Sequence, residues 1–290
     1  MRFIGMSLKA YFECFPCLLR QAIEAVNFLQ VDDELKREIL NDSMRIMIDI
    51  DPDLTSAEIA ASIHRNIIQK VGGKDPYEKV KRESLKTAFE YYNDAKNLIA
   101  SSSQPLETAL KLCAAGNIID FGPASEFELK RTMERALQEP FARFAFKEFM
   151  TALQKANSIL FLADNAGETV FDRLLIEEIK RPLTYVVKKD AIMNDAIVID
   201  AELTNFPEYV TIVDNGSAIQ GTVLSQCSRD FVDRFEAADM IIAKGMANFE
   251  TLPEEGKRTF FLLKIKCVPI AKLSGIPNGS FVVKQGGLFT

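Results

Sequence analysis

The spacing of apolar residues changes near Asn157, and this change limits the folds open to the chain. Before it, apolar residues recur every three to four positions, the period of an amphipathic helix, up to and including the stretch ARFAFKEFMTALQKA. After it, helical segments alternate with short apolar runs rich in β-branched and aromatic residues: SILFLAD, LTYVVKK, EYVTIVD, DMIIAKG and TFFLLKI. Such alternation predicts a mostly parallel sheet covered on both faces. We therefore predict a helical domain over residues 1–153 and an α/β domain over residues 154–290.

Charge and composition exclude several classes of function. The 290 residues carry a net charge of -6, which argues against nucleic acid as the main partner. No run of apolar residues is long enough to cross a membrane, and no secretory signal is evident at the start. The five cysteines are odd in number and scattered, so we expect free thiols and a cytoplasmic protein. The sequence predicts no oligomeric state.

The single histidine, His64, excludes a histidine-rich zinc site. It lies in the helical stretch AEIAASIHRNIIQKV, and we interpret it as structural. Chemistry in this chain is therefore expected to depend on carboxylates, amides, lysine or a hard metal ion.

Polar residues, with two glycines among them, follow four of the predicted strands. In an open parallel sheet, ligands bind beyond the carboxyl ends of the strands, so these residues are expected to converge. They are Asp164 and Asn165 after the first strand, Lys188, Lys189, Asp190, Asn194 and Asp195 after the second, Asp214, Asn215 and Gly216 after the third, and Lys244, Gly245 and Asn248 after the fourth. Acids and amides also cap helices and turns, so each loop alone has a structural explanation.

The residue types at this edge suit a phosphorylated ligand. Carboxylate and amide oxygens bind Mg²⁺ or Mn²⁺, and two acids with an amide leave room for water and substrate. The helix start at Gly167 and Glu168 offers backbone N–H groups to an anion, and Lys244 offers a point charge to a phosphate oxygen. Glycine at 167 and 245 permits close backbone approach. Neither a Walker A motif nor GxGxxG is present, which weakens a nucleotide interpretation.

Several stretches, taken together and in order, resemble the metal-dependent damage-control phosphatase family. They are CFPCLLRQA, AAGNIIDFG, FLADNAGETVFDRLLIEEI, the NDA of IMNDAIVIDAE, and KGMANFETL. The CFPC pair is similar to the subfamily with a CxxC motif. The resemblance covers nearly the whole chain. It implies a Rossmann-like three-layer α/β/α domain after the helical part, and hydrolysis of small phosphorylated metabolites such as sugar phosphates with Mn²⁺, Ni²⁺, Co²⁺ or Mg²⁺.

The resemblance also implies roles for individual residues. The metal ligands fall on Asp164, Asn165 and Asp195, and the phosphate-binding lysine falls on Lys244. Substrate contacts are implied at Asn117 and Asp120, and Cys14 and Cys17 are implied to lie near the active site. Further candidates for the substrate and phosphate site are Gly167, Glu168, Lys188, Gly245, Asn248 and Arg20. Lys188 stands where similar proteins often have arginine, so its grip on phosphate lacks the two-pronged geometry of a guanidinium.

Some interpretations stay open at this point. Cys14 and Cys17 share a helix face and could be a redox pair, half of a zinc site or buried thiols. Glu168 is either an acid of the first helical turn or a base beside the metal, and Glu250 has a similar ambiguity. The attacking group is either water, which we favour, or a carboxylate that becomes an aspartyl-phosphate. The alternative functions are an S-adenosylmethionine-dependent carboxyl methyltransferase and a non-enzymatic, metal-dependent binding protein.

Overall fold

The computed structural model describes residues 8–116, 126–253 and 255–287. These residues form twelve α-helices and seven strands. The helices are α1 (Cys14–Phe28), α2 (Asp33–Ile48), α3 (Ser56–Lys70), α4 (Glu78–Ser101), α5 (Pro105–Ala115), α6 (Glu126–Gln138), α7 (Phe146–Lys155), α8 (Thr169–Ile179), α9 (Val198–Thr204), α10 (Arg229–Ala237), α11 (Gly245–Thr251) and α12 (Val268–Ser274). The strands are β1 (Arg143–Phe144), β2 (Ile159–Leu162), β3 (Leu183–Val187), β4 (Val210–Asp214), β5 (Met240–Lys244), β6 (Thr259–Lys264) and β7 (Phe281–Gln285).

The strands form one sheet in the order β1-β7-β6-β5-β2-β3-β4. All neighbouring strands are parallel except β6 and β7, which are antiparallel. Every residue of β2 and of β5 is buried. Burial on both faces of the sheet explains why these strands read as continuous apolar runs rather than as an alternating pattern. The predicted mostly parallel sheet is confirmed.

Two apolar cores sandwich the sheet, which gives the expected three layers. On one face, α4, α5, α7 and α8 pack against side chains such as Phe161 of β2 and Tyr185 of β3. On the other face, α10, α11 and α12 pack against Leu160 and Leu162 of β2. No helix in the described ranges is long and apolar enough to span a membrane.

A third core belongs to the N-terminal helices. Buried residues of α1, α2 and α3 pack together and contact Ile192 and Met193, which follow β3. By contrast, α4 and α5 share their core with the sheet. The proposed boundary between residues 153 and 154 stays a prediction, and the packing places the more independent group of helices before α4.

The helix predicted over ARFAFKEFMTALQKA is wrong at its start. Residues Arg143–Phe144 form β1, parallel to β7, and α7 begins only at Phe146. The backbone N–H groups of Ala142 and Ala145 donate to carbonyl groups of Phe281 and Val283. Pairing with a strand that lies far away in sequence therefore outweighs the local helical period.

The strand order reverses between β2 and β5. From β2 the chain moves outward through β3 and β4, whereas β5 and β6 lie on the other side of β2. Loops at such a reversal diverge above and below the sheet, which opens a crevice beyond the carboxyl ends of the strands. The loop after β2 begins at Ala163, and β5 ends at Lys244 directly before α11, so the crevice forms where the sequence places its acids, amide and lysine.

Candidate metal and phosphate site

Backbone pairing between two loops brings the three predicted metal ligands together. Asn165 and Asp195 form an isolated antiparallel bridge between the loops that follow β2 and β3. The N–H of Ala166 donates to the carbonyl of Asn194 at 2.9 Å, and the N–H of Ala196 donates to the carbonyl of Asp164 at 2.8 Å. Two segments that lie about thirty residues apart are thus fixed edge to edge, with their polar side chains at one point.

The two aspartates at this point are buried at high electrostatic cost. Burial raises the pKa of Asp164 well above its usual range, and the neighbouring Glu168 and Asp195 raise it further, while Lys244 and Lys188 act in the opposite direction. Burial likewise raises the pKa of Asp195 to about 6, although Lys188 partly compensates. Buried carboxylates held close together favour a bound cation or a shared proton.

The ligand atoms fit a hard divalent cation. Oδ2 of Asp195 is buried and has no hydrogen-bond partner among the described residues, and its nearest cation is the Lys188 ammonium at 3.7 Å. The Nδ2 of Asn165 donates to Oδ2 of Asp164 at 3.3 Å and to Oε1 of Glu168 at 2.8 Å. Within the described ranges no three His, Cys, Asp or Glu side chains are arranged to hold a metal. The Asn165 amide oxygen is the side-chain donor next to the two aspartates that could complete such a cation's protein ligands.

Gly245 is in direct contact with this site. Its φ angle is +78°, and a Cβ atom added to it would lie 1.9 Å from Oδ2 of Asp164. The residue that opens the helix after β5 therefore has to be glycine for two reasons, its backbone conformation and the space that the carboxylate occupies.

Lys244 lies behind the carboxylates rather than in the cavity. Its side chain is 0% exposed, and its Nζ lies 2.7 Å from Glu168 Oε2 and 2.6 Å from Asp172 Oδ1. Burial alone would lower the pKa of Lys244, but Asp172 and Glu168 outweigh burial and hold the pKa well above its usual value. Asp172 also accepts hydrogen bonds from the hydroxyl of Tyr185 at 2.7 Å and from the thiol of Cys113 at 3.2 Å.

A cavity of about 470 Å³ opens above Asp164 and Asn165. Its walls come from α1, the start of α3, α11, and the segment from the end of β6 to α12. Cys14, Cys17 and Arg20 of α1 all line it, and their roles as substrate contacts stay predictions. All three are on one helix, and the Arg20 guanidinium donates to the sulfur of Cys17 at 3.4 Å.

Other predicted substrate contacts are buried beside the cavity and hold the loops. The Lys188 ammonium donates to the carbonyl of Gly221. The Asn248 amide donates to the carbonyls of Ala163 and Lys244 and accepts from the hydroxyl of Thr222. Neither Lys188 nor Asn248 lines the cavity in this conformation.

The helix start after Asn165 is less open to an anion than the sequence suggests. A short 3₁₀ turn, Ala166–Glu168, precedes α8, and all three of its residues are buried. The N–H groups of Ala166 and Glu168 already donate to carbonyls of Asn194 and Asn165. Only Gly167 of this turn is left as a candidate for the predicted backbone contact. Asn117 and Asp120 lie outside the described residues.

Sequence reasoning did not select several residues of the cavity wall. They are Tyr11 before α1, Gln220 after β4, and Lys266 and Cys267 between β6 and α12, and none of them belongs to a motif. Glu250 also lines the cavity. Glu250 lies one helical turn beyond Met246 and Ala247 on α11. It lines the cavity because α11 begins at the site, a fact that the sequence alone does not show.

Comparison with known proteins gives a consistent result. A profile of the Damage-control phosphatase ARMT1-like domain matches residues 10–282, and the chain belongs to this family. A damage-control phosphatase of Pyrococcus horikoshii is 32% identical over 282 residues, which cover 95% of this chain and 97% of that protein. A damage-control phosphatase of Archaeoglobus fulgidus is 31% identical, with 93% and 97% covered.

Two further matches extend this result. An uncharacterized protein of Methanocaldococcus jannaschii is 32% identical over 296 residues, with 98% of this chain and 97% of that protein covered. The crystal structure of a DUF89 family protein from Pyrococcus horikoshii superposes with a TM-score of 0.89 at 30% identity, covering 96% of this chain and 99% of that one. The family names support a phosphatase role for proteins of this kind.

Proposed function

We propose that this protein is a metal-dependent phosphatase that hydrolyses phosphate monoesters of small metabolites. The observation that carries the proposal is the convergence of Asp164, Asn165 and Asp195 at the sheet reversal, beneath a cavity of about 470 Å³. A cavity of this volume suits a phosphorylated sugar or a molecule of similar size. The names of the relatives from Pyrococcus and Archaeoglobus supply independent support for the class of reaction.

Asp164, Asn165 and Asp195 would hold the cation, which could be Mn²⁺, Ni²⁺, Co²⁺ or Mg²⁺. When bound, such a cation supplies positive charge to the phosphoryl oxygens and lowers the pKa of an attacking water. Asn165 is oriented for this role by its hydrogen bond to Glu168, and Glu168 is in turn held by Lys244. This chain of contacts keeps the amide in one orientation without a substrate present.

Asp164 is better suited to binding than to nucleophilic attack. Its carboxylate is packed against Gly245, and its Oδ2 accepts a hydrogen bond from Asn165. An attacking carboxylate needs freedom to approach phosphorus in line, and this environment restricts it. We therefore favour water as the attacking group.

A direct contact between Lys244 and phosphate would require its ammonium, which is 0% exposed and donates to Glu168 and Asp172, to move toward the cavity and weaken those two contacts. Both carboxylates are 0% exposed, so an uncompensated charge there would be costly. The geometry supports a different role, in which Lys244 neutralises the acids behind the metal ligands and fixes their positions.

The test is phosphate release from p-nitrophenyl phosphate and a panel of sugar phosphates, using metal-stripped protein with each divalent cation added back. We expect turnover that depends on the metal and falls at least about 100-fold in Asp164→Asn and in Asp195→Asn, as expected when a catalytic metal ligand is removed. Asp214→Asn is the matched control, because Asp214 is exposed at the end of β4 and only accepts from the N–H of Gly216.

Absence of turnover with every metal, in folded protein, would reject the phosphatase. Tight binding of a sugar phosphate without turnover would then identify a binding protein, and methyl transfer from S-adenosylmethionine would identify a transferase.

A further inference from the structure

The wall of the cavity that faces away from Asp164 carries hydrogen-bond acceptors. α11 starts at Gly245, in contact with the Asp164 carboxylate, and presents Met246, Ala247 and Glu250 to the cavity along one face. Glu250 lies five positions after Gly245, which corresponds to about 7.5 Å along the helix axis. α11 therefore spans the cavity from the metal site to a carboxyl group beyond the reach of an inorganic phosphate.

Glu250 is fixed at this distance by the other half of the molecule. Its Oε2 accepts a hydrogen bond from the hydroxyl of Ser56 at 2.9 Å, and Ser56 is the first residue of α3. The backbone N–H of Leu8 donates to the backbone carbonyl of Glu250 at 3.2 Å. These contacts join α11 to the N-terminal segment and α3 across the cavity, so the carboxyl group is positioned before a substrate enters.

A second hydrogen-bond acceptor belongs to Gln21, another residue that lines the cavity. The Oε1 atom of Gln21 on α1 is buried and has no hydrogen-bond partner among the described residues. A buried acceptor without a donor is costly to maintain, and such atoms commonly mark a place where a ligand supplies the missing group. Gln21 and Glu250 line one cavity from two different helices.

We propose that Glu250 and Gln21 are specificity-determining residues that accept hydrogen bonds from hydroxyl groups on the leaving group of the substrate. This inference rests on the proposed function, since it assumes that the phosphate is placed over Asp164 and Asn165. Phosphate esters that carry hydroxyl groups far from phosphorus reach this wall. Esters without such groups bind only at the metal end.

The balance of charged residues around the cavity favours a substrate with hydroxyl groups over one with a second anionic group. Arg20 donates to the sulfur of Cys17, and Glu13, Glu24 and Glu250 line the same cavity. Acids thus outnumber the basic residues Arg20 and Lys266 here, which disfavours a bisphosphate or a phosphorylated carboxylic acid. Hydroxyl groups both donate and accept, so they match a wall of mixed polarity.

The experiment compares two substrates in four variants. Ribose 5-phosphate carries hydroxyl groups on its leaving group, and p-nitrophenyl phosphate carries none. We expect Glu250→Met and Gln21→Met each to lower kcat/KM for ribose 5-phosphate by about 10- to 100-fold, the range expected when a buried hydrogen bond to substrate is lost. Turnover of p-nitrophenyl phosphate should change by less than about 3-fold.

Two further variants complete the comparison. Glu250→Gln keeps the shape and one acceptor oxygen, so it should retain more ribose 5-phosphate activity than Glu250→Met. Glu236→Gln is the matched control, because Glu236 is exposed on α10 and should leave both substrates unaffected. An equal fall for both substrates would overturn the inference, since it would assign Glu250 to the fold or to the chemistry. No fall for either substrate would overturn it as well.

Calorimetry separates this inference from the proposed function. Ribose 5-phosphate should bind the wild-type protein at least about 10-fold more tightly than Glu250→Met, whereas inorganic phosphate should bind both equally. This measurement needs no turnover, so the specificity of the wall can hold even if the protein proves to be a binder. Equal affinities of both proteins for ribose 5-phosphate would reject the inference.

Discussion

At the scale of single residues, the site depends on Gly245 more than on any charged group that its motif supplies. The lysine beside it faces the core, while the glycine allows α11 to begin in contact with Asp164. A motif made of lysine and glycine suggests that lysine carries the function. The geometry instead assigns close approach to the glycine and charge compensation to the lysine.

Gly245→Ala should therefore abolish activity by displacing Asp164. The methyl group would collide with the carboxylate, and φ of +78° adds strain of about 1–3 kcal/mol. Gly275→Ala is the matched control, because its φ is +65° and no atom lies within 4 Å of the added methyl group. Urea unfolding and phosphate release should show that both variants lose stability, whereas only Gly245→Ala loses turnover. Full activity in Gly245→Ala would contradict this account of the site.

At the scale of elements, α8 and β5 are joined by one buried ion network. Glu168, immediately before α8, and Asp172, on its first turn, both contact Lys244 at the end of β5. Two acids four residues apart lie on the same helix face, so a single ammonium can neutralise both. The network fixes α8 against the sheet, and α8 follows the loop that carries Asp164 and Asn165.

Lys244→Met should destabilise the protein by about 3–5 kcal/mol, because it leaves buried carboxylates without their cation. Lys257→Met, at an exposed position before β6, should change stability by less than about 0.5 kcal/mol. The free energy of unfolding in urea measures both effects. If Lys244→Met loses turnover but keeps its stability, the lysine acts on the phosphate and not on the fold.

At the scale of the whole molecule, the cavity forms between the N-terminal helices α1 and α3 and the edge of the α/β part. Helices α1 and α3 supply Cys14, Cys17, Gln21 and Ser56, while the loop after β2 and helix α11 supply Asp164, Asn165 and Glu250. The protein must remain folded as a unit for the cavity to form. Its stability therefore sets the conditions under which the site can work.

His64 provides a measure of this stability as a function of pH. It is buried in the α1–α3 core, Nε2 has no hydrogen-bond partner among the described residues, and burial lowers its pKa to about 4. An unfolded histidine titrates near 6.5, so the unfolded state binds the proton first. The stability contributed by neutral His64 is complete above pH 6.5 and is lost as pH falls toward 4.

Wild type should accordingly lose about 3 kcal/mol relative to His64→Leu between pH 7 and pH 4. The difference between the two proteins is the informative quantity, because burial raises the pKa of Asp195 to about 6 and that of Glu250 to about 7, which acts in the opposite sense. Urea unfolding at each pH provides the values. An imidazole NMR signal that titrates near 6.5 in the folded protein would contradict the prediction, and the assignment is certain because the chain has one histidine.

Much of the fold could be predicted because its signals are local. The change from helical spacing to apolar runs at Asn157 reflects the burial of the central strands β2 and β5 on both faces, and all five predicted runs are strands. The convergence of Asp164 and Asn165 with Asp195 also follows from a general property of parallel sheets. The exception is β1, whose two residues pair with β7 across more than 130 positions. Nothing in the local spacing of ARFAFKEF records that partner.

The sequence by itself determined the types of residue at the end of each strand, the order of strands and helices, and the family to which the chain belongs. Only the tertiary structure decided which way those residues face. Lys244 and Lys188 turn toward buried acceptors because a buried ammonium needs a partner, and the partners come from other segments, α8 for Lys244 and the loop at Gly221 for Lys188. Glu250 and Gln21 line one cavity because α1, α3 and α11 all border it. Side-chain direction depends on contacts between distant segments, and spacing along the chain does not encode these contacts.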